Sequence, residues 1–132
     1  WSQDVDIASE DPIDASNIMY TMHFYAGSHG DELKEKAEKA LKNGLPIFVT
    51  EWGTTQASGT DGVFEKETLE WLSFLKKHNI SWVNWSVTNK GEDSGILVYN
   101  ADRNAKGGWT DKDLTPSGKL MRGILRNETK IK

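Results

Sequence analysis

Three times in succession the chain passes from a short apolar, β-prone run into or out of a stretch of helical period, and this rhythm limits the fold more than any other feature. Residues 17–25 (NIMYTMHFY), 45–51 (LPIFVTE) and 80–86 (ISWVNWS) read as strands. Between the first two, residues 31–43 place Leu33, Ala37, Ala40 and Leu41 at helical spacing. Glu32–Lys36, Glu35–Lys39 and Glu38–Lys42 form i,i+4 pairs on the opposite, wet face. Asp31 is placed to cap this helix, and Gly44 and Pro46 to stop it. A second helix over 64–78 carries Phe64, Thr68, Trp71, Leu72 and Leu75 on one stripe. A Gly- and Asp-rich excursion over 87–114 follows, with a short hairpin expected around GILVY. Thr115 and Pro116 open a last helix that runs to about Asn127, leaving 128–132 as a frayed tail.

Strands alternating with helices predict an α/β fold with a parallel sheet, whose sites gather at the C-terminal ends of the strands. The polar residues fall there: His23 and Tyr25 end the first strand, Glu51 the second and Trp85 the third. Loops after the strands are long, and the links into the next strand are tight. That asymmetry is what a (β/α) barrel has. Three units do not close a barrel, which takes about 250 residues in the usual case, so 132 residues predict either a piece of a larger barrel, the favoured reading, or a smaller open sheet.

Bulk properties narrow the partners. A net charge of -4 offers no basic stripe for nucleic acid. No apolar run approaches the roughly 20 residues of a membrane span, so neither nucleic acid nor membrane is an expected partner. There are no cysteines, which removes disulfides and thiolate metal sites. The chain opens on Trp1 rather than Met, so a missing signal peptide carries no weight. Six tryptophans are far more than this length usually holds, and an indole offers either core volume or a flat platform for a sugar ring.

Side chains alternate along a strand, so Met19, Thr21, His23 and Tyr25 are expected on one face. Ile47, Val49 and Glu51 are expected on another shared face, as are Ser81, Val83 and Trp85. In a barrel these faces converge on the lumen. A carboxylate beside a tyrosine hydroxyl and an imidazole is oriented and kept ionised, as a nucleophile on an anomeric carbon requires. Plain structural readings stand beside this one. Glu51 could cap a helix from a loop, His23 could be a satisfied core histidine, Tyr25 could anchor a loop, and Trp85 could be core. A metal reading would draw on His23, His29 and Glu51, but no H-x-x-x-H or similar ligand spacing supports it, and no metal or cofactor is expected.

The motifs MHFYAGSHG, PIFVTEWGTTQASGTDG and WVNWSVTNKGEDSGIL closely resemble the C-terminal half of bacterial, Bacillus-type endoglucanases of glycoside hydrolase family 5. The resemblance runs from Trp1 to about Asn127, the expected extent of the catalytic-domain part. It implies that these strands are the sixth to eighth of a TIM (β/α)8 barrel. It implies retaining hydrolysis of internal β-1,4-glucosidic bonds in cellulose by a secreted, extracellular enzyme. On the same resemblance Glu51 is the nucleophile, Tyr25 hydrogen-bonds it, and His23 lines the cleavage subsite. Trp85 stacks on the sugar on the non-reducing side, Lys90 and Glu92 bind hydroxyls of the glucose beyond it, and the Ala57 backbone lies nearby. Trp1 stacks on the leaving-group side.

One departure qualifies all of this. The family's general acid/base is a glutamate in an Asn-Glu-Pro motif, and here the one Asn-Glu is Asn127-Glu128, in the polar tail. The arginine and histidine of the family's earlier strands are also missing. The expected partners are therefore β-1,4-glucan or cello-oligosaccharides and the N-terminal half of the same barrel, without which the chain is expected to be inactive. Two other readings stay open: a non-catalytic half-barrel that binds glucan or is purely structural, and a hydrolase of the same family acting on β-mannan or xyloglucan.

Overall fold

The structure is a computed structural model that describes residues 1–102 and 104–127; the expected tail at 128–132 lies outside them. A one-turn helix α1 (Val5–Ala8) precedes β1 (Tyr20–Tyr25), α2 (Asp31–Lys42), β2 (Ile47–Gly53), α3 (Glu65–Lys77), β3 (Trp82–Asn84) and α4 (Pro116–Leu125). The strands form one parallel sheet in the order β1-β2-β3, with α2 and α3 as the crossovers that parallel pairing requires.

The helices cover one face of this sheet. Leu33, Ala37 and Ala40 of α2, Trp71, Leu72 and Leu75 of α3, and Met121 and Ile124 of α4 close over the sheet's inner side chains, Met22, Phe24, Ile47, Val49 and Trp52. The Phe24 ring lies between two indoles, 4.0 Å from Trp71 and 5.4 Å from Trp52, nearly parallel to both. Among the described residues no helix covers the opposite face. Thr21, Thr50, Ser81, Val83 and Trp85 are exposed there, with His23, Tyr25 and Glu51 half-buried among them. Parallel sheets are normally covered on both sides, so this uncovered face is what the lumen wall of an incomplete barrel presents.

Several expectations are corrected by tertiary context. β1 starts at Tyr20 rather than at residue 17, because its first ladder partner is Ile47 and β2 has nothing earlier to pair with; Met19 thus drops off the strand. β3 keeps three residues, since its register against β2 holds only at Val49–Trp82 and Trp52–Asn84. Around GILVY there is no hairpin but a single antiparallel bridge, Leu97 to Leu114, over a small cluster with Ala101. Asp31 does not cap α2: Gly30 holds the cap position, and the Asp31 carboxylate accepts from Lys34 Nζ at 3.1 Å. Apart from that Asp31–Lys34 pair, the charged face of α2 pairs outward, and not in the expected i,i+4 steps. Lys36 meets Asp4 at 2.7 Å, Lys39 meets Glu10 at 2.6 Å, and Glu38 faces His78 at 3.3 Å. The short α1, too brief to show a period, brings the first two acids alongside.

The last helix starts as the sequence predicts and stops at Leu125. Thr115 Oγ1 accepts from the Gly118 N–H at 3.0 Å and donates to the Gly95 carbonyl at 2.6 Å. Ser117 accepts from Thr54 at 2.8 Å, with both hydroxyls fully buried. α4 is thereby fixed against the 95–97 segment and the loop after β2. Gly118 is where they touch: a Cβ there would land on the Ile96 carbonyl group, 2.9 Å from its carbon. Helix propensity favours Ala over Gly by about 1 kcal/mol, while overpacking costs about 1–3 kcal/mol. Packing against backbone decides the sign, so Gly118→Ala is expected to lower stability by about 1–2 kcal/mol in urea denaturation. A gain in midpoint would mean that α4 does not press on Ile96.

Candidate active site

Strict alternation along β2 would set Glu51 beside Ile47 and Val49, as the sequence reading expects. The structure corrects this. Met22 stands opposite Val49, but the next β1 residue, His23, stands opposite Glu51, so β2 spends one extra residue, Thr50, on that step. This is a β-bulge, and it shifts the phase of everything after it. Ile47 and Val49 stay in the core, and Trp52 returns to it. Thr50 and Glu51 both turn to the open face, beside Thr21, His23 and Tyr25. The carboxylate escapes the apolar layer that its neighbours build, and no charge is buried.

Three side chains then converge. The Tyr25 hydroxyl donates to Glu51 Oε1 at 2.8 Å. His23 Nδ1 stands 3.9 Å from Glu51 Oε2, and its Nε2 meets Thr50 Oγ1 at 2.8 Å. Thr50 Oγ1 also hydrogen-bonds Thr21 Oγ1. The bulged threonine therefore orients the imidazole while its neighbour presents the carboxylate. Gly53 makes the geometry possible: a Cβ there would lie 2.5 Å from the Tyr25 ring, which crosses the strand at that point to reach Glu51. Burial, and then the bond and charge of Glu51, push the Tyr25 phenol well above the usual tyrosine range. The charge of Glu92 adds to this. Tyr25 thus remains a proton-bearing donor throughout neutral and moderately alkaline pH.

Glu51, Tyr25, His23, Trp1, Ala57, Gln3 and His29 line one cavity of about 330 Å³. The Trp1 indole is fully exposed, so both of its faces are free. The Ala57 N–H is taken by Ser28 Oγ at 2.8 Å, which leaves its carbonyl as the group it offers. Trp85 lies outside this lining, half-exposed on the open face, with its backbone N–H donating to the Trp52 carbonyl at 2.7 Å. Lys90 and Glu92 also lie outside it, joined to each other at 3.0 Å. Among the described residues no group of three His, Asp or Glu side chains gathers as a metal site.

Sequence reasoning missed Gln3 and Thr50 and considered His29 only as a metal ligand. His29 takes the Tyr25 N–H on its Nδ1 at 2.8 Å, and Gln3 faces its Nε2 at 2.9 Å. Nothing in one sequence marks Thr50, because a bulge is a property of register against a neighbouring strand.

Comparison with known proteins places the arrangement. The family profile described as Cellulase (glycosyl hydrolase family 5) matches residues 1–91. Endoglucanase A of Evansella cellulosilytica is 46% identical over 131 residues, which are 99% of this chain and 26% of that protein. The structure of a thermostable, halotolerant GH5 cellulase from an Icelandic hot spring isolate matches with a TM-score of 0.90 at 43% identity, covering 96% of this chain and 42% of that one. The catalytic domain of a Thermobifida fusca endoglucanase, solved in complex with cellotetraose, matches with a TM-score of 0.79 at 26% identity, covering 91% and 39%. The chain spans about a quarter of the curated relative's length and about two fifths of the solved structures. It belongs to glycosyl hydrolase family 5, the cellulase family, and its sheet is part of that family's TIM barrel.

Proposed function

We propose that this chain supplies the nucleophile half of a retaining endo-β-1,4-glucanase site, with Glu51 as the nucleophile. The observation that carries the proposal is the hydrogen bond from Tyr25 to Glu51 Oε1 at 2.8 Å, on a strand tip in a cavity wide enough for a sugar ring. That bond leaves Oε2 free to attack. Attack on the anomeric carbon forms a glycosyl ester on Glu51, and water later releases the sugar with retained configuration. Tyr25 holds the carboxylate by its edge beforehand, and His23 walls the subsite. A second carboxyl, about 5 Å from the first, must protonate the leaving oxygen. The Asn-Glu-Pro glutamate of the earlier strands is the group assigned to that role.

The substrate proposed is a β-1,4-glucan. The Thermobifida fusca relative's complex with cellotetraose supports that class. Trp1 would stack on the leaving-group side and Trp85 on the non-reducing side, with Lys90 and Glu92 meeting hydroxyls beyond. An insoluble polymer does not enter cells, so the enzyme acts secreted, outside them. The partner is the remaining strands of the barrel, in the same or a separate chain, which would cover the open face where Val83 and Trp85 stand exposed.

Carboxymethyl-cellulose hydrolysis tests the division of the site. The 132-residue chain alone is expected to be inactive and to gain activity when joined or mixed with the first five strands. Full activity from the chain alone would sink the half-site proposal. In the completed barrel, Glu51→Gln is expected to cut turnover by on the order of 10⁴-fold or more, since an amide does not form the glycosyl ester; unchanged turnover would remove Glu51 from the role. Tyr25→Phe is expected to lower kcat by about 10- to 100-fold with a smaller change in KM. The phenol's folded-state pKa is raised, so its contribution to stability is fully present below the ordinary value near 10 and is lost as pH rises past it. A phenolate absorbance titration should therefore lose its step above the usual tyrosine range in Tyr25→Phe. If that step survives, another tyrosine owns it.

A further inference from the structure

We propose that His29 is a positioning residue, whose imidazole stands in for a missing backbone partner and thereby sets Tyr25 against Glu51. The proposal rests on the reading of Glu51 as nucleophile. Its structural half does not.

The N–H groups of β1 alternate in direction. Those of His23 and Tyr25 point away from β2, toward the strand's other edge. The His23 N–H finds the Ser2 carbonyl there at 3.0 Å. Beyond Ser2 the chain enters α1, and among the described residues no carbonyl continues the ladder to Tyr25. An unpaired N–H at the strand tip would cost free energy and leave the tip free to twist. The imidazole of His29 fills that place, with Nδ1 accepting the Tyr25 N–H at 2.8 Å. The His29 N–H donates back to the Tyr25 carbonyl at 3.0 Å, so residues 25–29 close on themselves at both ends.

This ring is anchored from outside. The Trp71 indole N–H, on α3, donates to the His29 carbonyl at 2.7 Å. The same Trp71 stacks on Phe24, the residue before Tyr25. The Gln3 side-chain amide nitrogen stands 2.9 Å from Nε2; with Nδ1 accepting and the proton on Nε2, this contact becomes a hydrogen bond only when the amide is turned to present Oε1. An imidazole that accepts at Nδ1 bears its proton on Nε2. Burial keeps His29 below the usual histidine range, so the acceptor is available in neutral solution. Position then passes from His29 to the Tyr25 backbone, through the ring that crosses Gly53, to the Glu51 carboxylate.

The two ring nitrogens have separate amide mimics. Asn places its oxygen near the position of Nδ1; Gln places its amide near Nε2. In the completed barrel carrying this chain, His29→Asn is expected to keep kcat within about threefold, and His29→Gln to lower it by about 10- to 100-fold, with KM nearly unchanged in both. The Tyr25 phenolate step should move toward the ordinary range in His29→Gln and stay in place in His29→Asn. Nitrogen NMR of the unmodified protein should show His29 as the neutral, Nε2-protonated tautomer. The proposal is overturned if Gln restores activity and Asn does not, if both match the unmodified enzyme, if KM alone rises, or if the proton sits on Nδ1. Glu51→Gln run alongside separates the two readings. If it retains turnover the nucleophile assignment fails, while the tautomer and the phenolate titration still decide the link from His29 to Tyr25.

Discussion

A single extra residue in β2 governs the site. Ile47 and Val49 face the helices, in one apolar cluster with Leu72, Leu75 and Met121. Trp52 must face them too, since its indole stacks on Phe24 and meets Trp82 edge-on. With strict alternation from Val49, Glu51 would sit in the core and Trp52 in the lumen. The bulge at Thr50 resolves the conflict by inserting one residue between two core positions, so that two consecutive side chains reach the open face. Burying an unpaired carboxylate in the apolar layer would cost several kcal/mol. The bulge instead gives up one ladder step, and Thr50 recovers part of it through its hydroxyl bonds to His23 and Thr21.

That device explains which parts of the molecule were legible in the sequence. α2 and α3 were, because their apolar stripes are long and match the 3.6 period. Thr115–Pro116 was, because capping chemistry is local. The placement of Glu51 near the C-terminal end of a strand was legible as well, though β2 runs on past it to Gly53 and the reason for its facing was not visible. Period-2 reasoning put the glutamate on the same face as Val49, and only pairing with β1 reveals the phase shift. The same limit hid His29 and Gln3, whose roles depend on Tyr25 lying at an edge without a backbone neighbour. It also misplaced the charges of α2, since Asp4 and Glu10 come from a segment with no period of its own.

Gly53 and Gly118 show a related blindness. Both lie in elements where glycine is a poor former, in β2 and α4, and propensity alone would count them as faults. Each marks a close approach, of the Tyr25 ring in one case and of the Ile96 backbone in the other. Neither neighbour is near in sequence, so a local scale prices the residue and misses its use. The one at Gly53 bears on the site, because a side chain there would push away the phenol that holds the carboxylate.

The contacts around Glu51 all come from within the chain. Tyr25 holds Oε1, Gly53 admits the Tyr25 ring, His29 holds the Tyr25 backbone, and Trp71 holds His29 from the core. The carboxylate is therefore oriented by these strands and the helices behind them. A wall over the open face would act differently, by excluding water from it. Excluding water strengthens the Tyr25–Glu51 bond and raises the cost of leaving the carboxylate charged. A network already satisfied tolerates that change, because every donor aimed at the carboxylate stays in place as the dielectric falls. Orientation of the carboxylate is thus built into these three strands and the helices behind them.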